Sequence, residues 1–429
     1  MSKYKQFIFK RYSFDKASGL LELFYGYDEE LEFKETYKFD FDFTPYNEEL
    51  LDRAIQTLFF VAGVSYYKAY VAEEIVINNG EVDTELAKYL SNTYERGLGE
   101  FFYVNKLDPR SKVIFPINSD VLGPIEVSEL EGKLIGLGGG KDSLVSVELT
   151  RDQPKVATWS LNHRSQLEPL VSSVGLPHFY VEREWDSKLS SLNSSGAYNG
   201  HVPISAIFSC VGTIVGILSG YKELIVSNES SASEPNLVYK GLEINHQYSK
   251  SLRYEKDYQE LLRHLFGDSI SYYSFLRPLS ELKIAEVFSK IGFQKYRGVF
   301  SSCNRAFRHG EDHMFWCGEC AKCAFVFLIL TPFIDRSELE SIWDGKNLLL
   351  DSGLDGTYRQ LLGIEGDKPL DCVGEIKEAR TAMRLAQEKY PELAKYVFDI
   401  PVDYDYSSWS EDSMPKEIFE TLKSKLTNL

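Results

Sequence analysis

The chain reads as an α/β protein: a parallel β-sheet with helices on both faces fills its middle, an α+β unit precedes it and a helical region follows. Three observations predict this. From Lys133 onward short apolar runs alternate with helical segments; the first forty or so residues instead alternate apolar and polar one by one; beyond about Phe325 the sequence is polar with helical periodicity. These changes of rhythm place the boundaries at 1–128, 129–325 and 326–429.

In the first unit, Leu31-Glu32-Phe33-Lys34-Glu35-Thr36-Tyr37-Lys38-Phe39 puts apolar side chains on one strand face, with turns at Ala17-Ser18-Gly19 and Tyr27-Asp28-Glu29. Residues 5–43 therefore predict a small antiparallel sheet, and helical periodicity follows over about 48–71 and 84–98. In the second unit the runs at 134–137, 156–161, 178–181, 224–226 and 271–276 predict strands. Ligands of such sheets bind at the carboxyl ends of strands, so the residues just after each run come first. The uncharged stretch 202–221, with Gly212 and Gly216 at GxxxG spacing, has the length of a membrane span. Lying between two strands and holding Pro203, Ser209 and Thr213, it reads instead as a buried crossover helix.

Composition narrows the function. A chain of 429 residues with 43% hydrophobic content can bury two or three cores. A formal charge of −17 repels nucleic acid and argues against a tRNA substrate, whereas a small anionic substrate needs only a few local cations. No signal-peptide apolar core follows Met1-Ser2-Lys3-Tyr4, which predicts a cytoplasmic protein. Of six cysteines, four are clustered, which in a reducing compartment points to a metal site.

The strongest motif is Leu134-Ile135-Gly136-Leu137-Gly138-Gly139-Gly140-Lys141-Asp142-Ser143, a strand entering a glycine turn and then a helix. Glycines let backbone amides approach an anion, and the helix aims its positive end at the same place. A Walker A loop requires Ser or Thr after its lysine, and here Asp142 follows Lys141. The segment instead resembles the SGGKDS loop of PP-loop ATP pyrophosphatases, with Gly138 at the first serine. That resemblance implies an adenine nucleotide α-hydrolase-like fold that cleaves ATP to AMP and pyrophosphate.

Cys303-x13-Cys317-x2-Cys320-x2-Cys323 has the spacing of a tetrahedral, structural Zn²⁺ site, with free buried thiols or an iron–sulfur cluster as alternatives. A similar thiol cluster closes the fold of PP-loop enzymes that make a deazaguanine nitrile. A wider resemblance joins Ala62-Gly63-Val64-Ser65-Tyr66-Tyr67-Lys68, the glycine loop, Gly200-His201-Val202-Pro203, Ser227-Asn228-Glu229-Ser230-Ser231-Ala232, Asn245-His246-Gln247-Tyr248-Ser249-Lys250-Ser251, the cysteines and Cys372-Val373-Gly374-Glu375. Together, over about 6–378, they resemble the MurL family of ATP-dependent UDP-N-acetylmuramoyl-L-alanyl-L-glutamate epimerases of peptidoglycan synthesis.

The resemblance implies chemistry that these residues can be asked to perform. A glutamyl carboxylate resists loss of its α-proton because the carbanion would lie beside an existing negative charge; adenylation neutralises it and lets a modest base act. Gly138, Gly139, Gly140, Lys141, Asp142 and Ser143 are expected to hold the pyrophosphate end of ATP. Arg183, Asn228 and Glu229, placed after strands, are expected to border the nucleotide, with Glu229 or Asp142 on Mg²⁺, or else to cap loops. His246 and Lys250, four apart, face an anionic substrate, transfer a proton, or form a solvated helix face. His201 stands at a helix entrance. Cys372 is an acid/base candidate whose protonation Glu375 or His201 would set, or else a packing residue. Tyr66, Tyr67 and Lys68 either bind the uridine-diphosphate end or pack two domains. The competing readings are a PP-loop ligase with amide, nitrile or thiolation chemistry, and a non-catalytic nucleotide sensor. Ser2 lacks the thiol that a glutamine-dependent ligase of the asparagine type uses.

Overall fold

The structure, a computed structural model, describes residues 3–109, 113–307 and 313–429; the position of Ser2 lies outside them. Eleven strands occur among the described residues: β1 (Gln6–Asp15), β2 (Leu20–Tyr27), β3 (Leu31–Phe39), β4 (Glu74–Ile77), β5 (Lys133–Gly136), β6 (Val156–Leu161), β7 (His178–Glu184), β8 (Glu223–Val226), β9 (Leu237–Tyr239), β10 (Leu242–Ile244) and β11 (Ser271–Ser274). The five expected parallel strands are present, ordered β11-β8-β5-β6-β7.

The expected small antiparallel sheet is not a separate layer. β3 pairs antiparallel with β7, Thr36 opposite Glu184 and Phe39 opposite Val181, so β4, β1, β2 and β3 extend the parallel sheet to nine strands. An edge strand with unpaired amides and carbonyls is a liability, and β3 removes it from β7. The boundary expected at 128 therefore does not separate two sheets.

Alternation along the central strands builds two cores. Leu134, Leu224 and Tyr272 pack into one, and their neighbours Ile135, Ile225 and Tyr273 into the other, as the period of two requires. The first core takes the helices Glu48–Ala62, Ile204–Ser219 and Leu252–Phe266. The second takes Lys141–Thr150, Glu281–Ile291, Ala321–Leu330 and Ile376–Lys389, so the C-terminal helices complete a layer of the same body. Local signals start these helices where they begin. Asn47 caps Glu48–Ala62 by accepting from Leu50 N (2.9 Å), with Glu48 and Glu49 in the positive first turn.

The stretch 202–221 forms the buried helix Ile204–Ser219 against the sheet. A Cβ at Gly212 would lie 2.9 Å from the Trp159 ring, so the small residue serves close helix–sheet approach rather than a membrane dimer. Among the described residues no helix is long and apolar enough to cross a membrane.

Candidate functional site

The glycine turn leaves the carboxyl end of β5 and enters Lys141–Thr150. Gly139 has a φ of +92°, and a Cβ there would sit 2.9 Å from Phe307 and 3.0 Å from the Ser301 carbonyl. Gly140 caps the helix without any side chain taking its first amides, which leaves an anion-directed terminus. Ser143 Oγ donates to the Gly140 carbonyl at 3.1 Å.

Lys141 is buried and is held by Asp142 and Glu281. Glu281 opens the helix Glu281–Ile291 behind its cap Ser280, and Lys322 lies 3.9 Å from its carboxylate. Burial pushes the Glu281 carboxyl up, but Lys141 and Lys322 outweigh it and hold the group below its ordinary value. Glu229, just after β8, shifts the other way: burial, reinforced by the charges of Glu281 and Asp142, outweighs Lys250 and Lys322 and raises it to about 7. Arg277, fully buried, pairs with Glu255 (2.9 Å) and donates to the carbonyls of Glu229 and Lys250, which fastens two site loops to one guanidinium.

Next to these groups lies Cys372. Lys250 Nζ is 3.4 Å from its Sγ, Lys322 donates to its carbonyl, and the His246 ring is close enough to act on its charge. Burial pushes the thiol up, yet Lys250, His246 and Lys322 bring it down to about 6. His246 shows the reciprocal effect: burial lowers it, and Cys372 and Glu100 raise it to about 9. Its Nδ1 contacts the Glu100 carboxylate. His201 packs at a tilt of 42° against His246 with ring centroids 4.4 Å apart, and burial together with that neighbouring charge lowers it to about 4.

The four sequence-expected thiols converge. Cys303 and Cys320 have their Sγ atoms 4.0 Å apart and Cys317 and Cys323 3.7 Å apart, all four within 4.8 Å. A tetrahedral ion with metal–sulfur bonds of about 2.3 Å requires about 3.8 Å between sulfurs, so the set fits zinc and not a disulfide.

Several expected placements need correction. Arg183 does not follow a strand at the site; β7 continues to Glu184, and its guanidinium is buried against Glu35 (2.9 Å) and Ser65 (3.1 Å). Its partner sits on β3, which sequence reasoning had assigned to a separate sheet. Glu375 does not set the protonation of Cys372; it caps Ile376–Lys389 in a capping box with Glu378 and pairs with Lys377 at 2.6 Å. Asn228 follows β8 as expected, and its carbonyl accepts from Ser274 Oγ at 2.6 Å. Tyr66 and Lys68 serve packing: the Tyr66 hydroxyl accepts from Asp186 N, and Lys68 holds Asn199 and the Gly200 carbonyl beside His201. Sequence reasoning missed Glu100, Glu281 and Lys322, each brought in by a contact distant along the chain.

A glycine turn at the carboxyl edge of a parallel sheet, beside a cysteine held among cations, defines the site of an α/β enzyme. Residues 1–275 match the MurL N-terminal domain and 299–402 the MurL C-terminal domain. A protein of Xanthomonas oryzae pv. oryzae is 36% identical over 427 residues, covering 98% of this chain and 90% of its own length. One of Salinispora tropica is 36% identical over 392 residues, covering 89% of this chain and 85% of its own. Both bear the name UDP-N-acetyl-alpha-D-muramoyl-L-alanyl-L-glutamate epimerase. The chain belongs to the MurL family.

Proposed function

We propose that this protein inverts the α-carbon of the terminal L-glutamate in UDP-N-acetylmuramoyl-L-alanyl-L-glutamate, with ATP cleaved to AMP and pyrophosphate, in peptidoglycan synthesis. The observation that carries this reading is the position of Lys250. It contacts the Cys372 thiol, and its charge also acts on Glu229 and Asp142 beside the glycine turn, so activation and proton transfer share one wall.

The turn from Gly138 to Ser143 receives the phosphates, and Lys141 neutralises charge as pyrophosphate leaves. Burial, reinforced by the charges of Glu281 and Asp142, raises Glu229, and a Mg²⁺ ion accompanying ATP would favour its ionised form. Zn²⁺ on Cys303, Cys317, Cys320 and Cys323 would hold the loop behind the turn; four thiolates leave no position for a reacting water. On the acyl-adenylate, the Cys372 thiolate removes the α-hydrogen: the C–H bond breaks, an S–H bond forms, and the electron pair delocalises into the acyl carbonyl. Protonation of the opposite face followed by hydrolysis of the adenylate gives the D-glutamyl product and AMP.

Chiral analysis of glutamate after acid hydrolysis, with and without ATP, tests the reading. Conversion to the D form with solvent deuterium at the α-carbon is expected only with ATP. Glutamate that stays wholly L while AMP accumulates overturns the epimerase and favours a ligase, recognised by a new bond to nitrogen or sulfur.

A further inference from the structure

The three side chains that meet at His246 come from widely separated segments. Glu100 lies in the first turn of the helix Gly99–Val104, His246 follows β10, and Cys372 precedes the helix Ile376–Lys389. Glu100 is delivered by packing: a Cβ on Gly99 would lie 3.3 Å from Ile244, so the helix sits directly against β10. The backbone of His246 is held in turn, its amide donating to Asn236 Oδ1 at 2.8 Å and Ile244 accepting from Asn236 N at 2.8 Å.

We propose that Glu100 is a positioning residue of the proton-transfer site, fixing the His246 ring through Nδ1 and so holding the ring's charge beside Cys372. This rests on the reading that Cys372 moves the substrate proton. A carboxylate on one ring nitrogen orients the ring and stabilises its charged form, and an imidazolium beside a thiol favours the thiolate. The Glu100 carboxyl responds accordingly: burial raises it, but its bond to His246 and that ring's charge win and lower it. The groups facing Cys372 are Lys250, Lys322 and His246; those facing His246 are Glu100, Cys372, His201 and Asp371. Glu100 is the carboxylate in direct contact with the ring.

The test is Glu100→Gln, which keeps the shape and removes the charge. Two readouts are followed: the pH dependence of Cys372 alkylation by iodoacetamide, mapped by mass spectrometry, and substrate α-deuterium exchange. Cys372 is half-buried, and its alkylation in the wild type sets the reference profile. The expected result is an upward move of the alkylation midpoint by about one pH unit, with exchange about tenfold slower and KM unchanged. Glu100→Asp should restore part of both, and an unaltered melting curve excludes a folding defect. An alkylation profile equal to wild type overturns the proposal, and because alkylation needs no substrate this holds whatever the enzyme acts on. Glu100, His201 and His246 have ligand atoms within 4.8 Å of one another. Loss from Glu100→Gln of a second bound metal ion that the wild type carries would make this trio a metal site and also overturn it.

Discussion

The amide of Ser301 donates to the carbonyl of Gly139 at 3.0 Å, so the glycine turn leans on the segment that two residues later supplies Cys303. The glycine turn and the thiol cluster are thus joined through one short segment, and losing the cluster should be felt in the turn.

One Zn²⁺ per chain is expected by elemental analysis. Replacing Cys303, Cys317, Cys320 or Cys323 by serine, or removing the ion with a chelator, should lower the melting temperature and abolish AMP release together. Protein purified without chelators that contains no stoichiometric zinc would contradict this.

Lys141 and Ser143 should both be needed for AMP formation, yet differ in stability. Lys141→Ala removes the cation in direct contact with buried Glu281 and leaves Lys322 at 3.9 Å, which costs about 3–5 kcal/mol. Ser143→Ala removes one hydrogen bond, about 1 kcal/mol, and should stay folded. Denaturant unfolding beside an AMP assay separates the two effects.

Cys372→Ala should still form acyl-adenylate but fail to exchange the α-hydrogen with solvent deuterium. In the wild type the exchange rate should be bell-shaped in pH. Cys372 acts as a thiolate, so the rate is lost as pH falls below about 6, and His246 acts as an imidazolium, so it is lost above about 9. A profile flat across the acidic limb would return Cys372 to a packing role, and one flat across the basic limb would remove His246 from the step.

Gly212→Ala places a methyl 2.9 Å from the Trp159 ring, which is locked in the sheet face. Overpacking costs about 1–3 kcal/mol, more than the gain of about 1 kcal/mol in helix propensity, so the melting temperature should fall while zinc content is unchanged.

What the sequence disclosed and what it hid differ by the range of the contact. The glycine turn at Gly139 and the cysteine spacing are local patterns, legible because backbone geometry and metal valence fix them within a few residues. Cys372, Lys250 and His246 were legible as candidates but not as neighbours. Arg183 was misplaced because its partner Glu35 sits on β3, and the periodicity of a strand does not tell which strand it pairs with. Glu375 was drawn toward catalysis by its nearness to Cys372, although Glu378 three residues on writes the capping-box pattern. Glu100 lies on a short helix with no motif at all.

The pairing of Thr36 with Glu184 also sets an order of events during synthesis. The three strands made first leave the ribosome with one edge bare, and β7 emerges only after about 145 further residues, on the order of ten seconds at ordinary elongation rates. Throughout that interval the β3 edge can be captured by another nascent chain. Yield in the cell should therefore depend on elongation speed and chaperone supply as much as on the stability of the finished sheet.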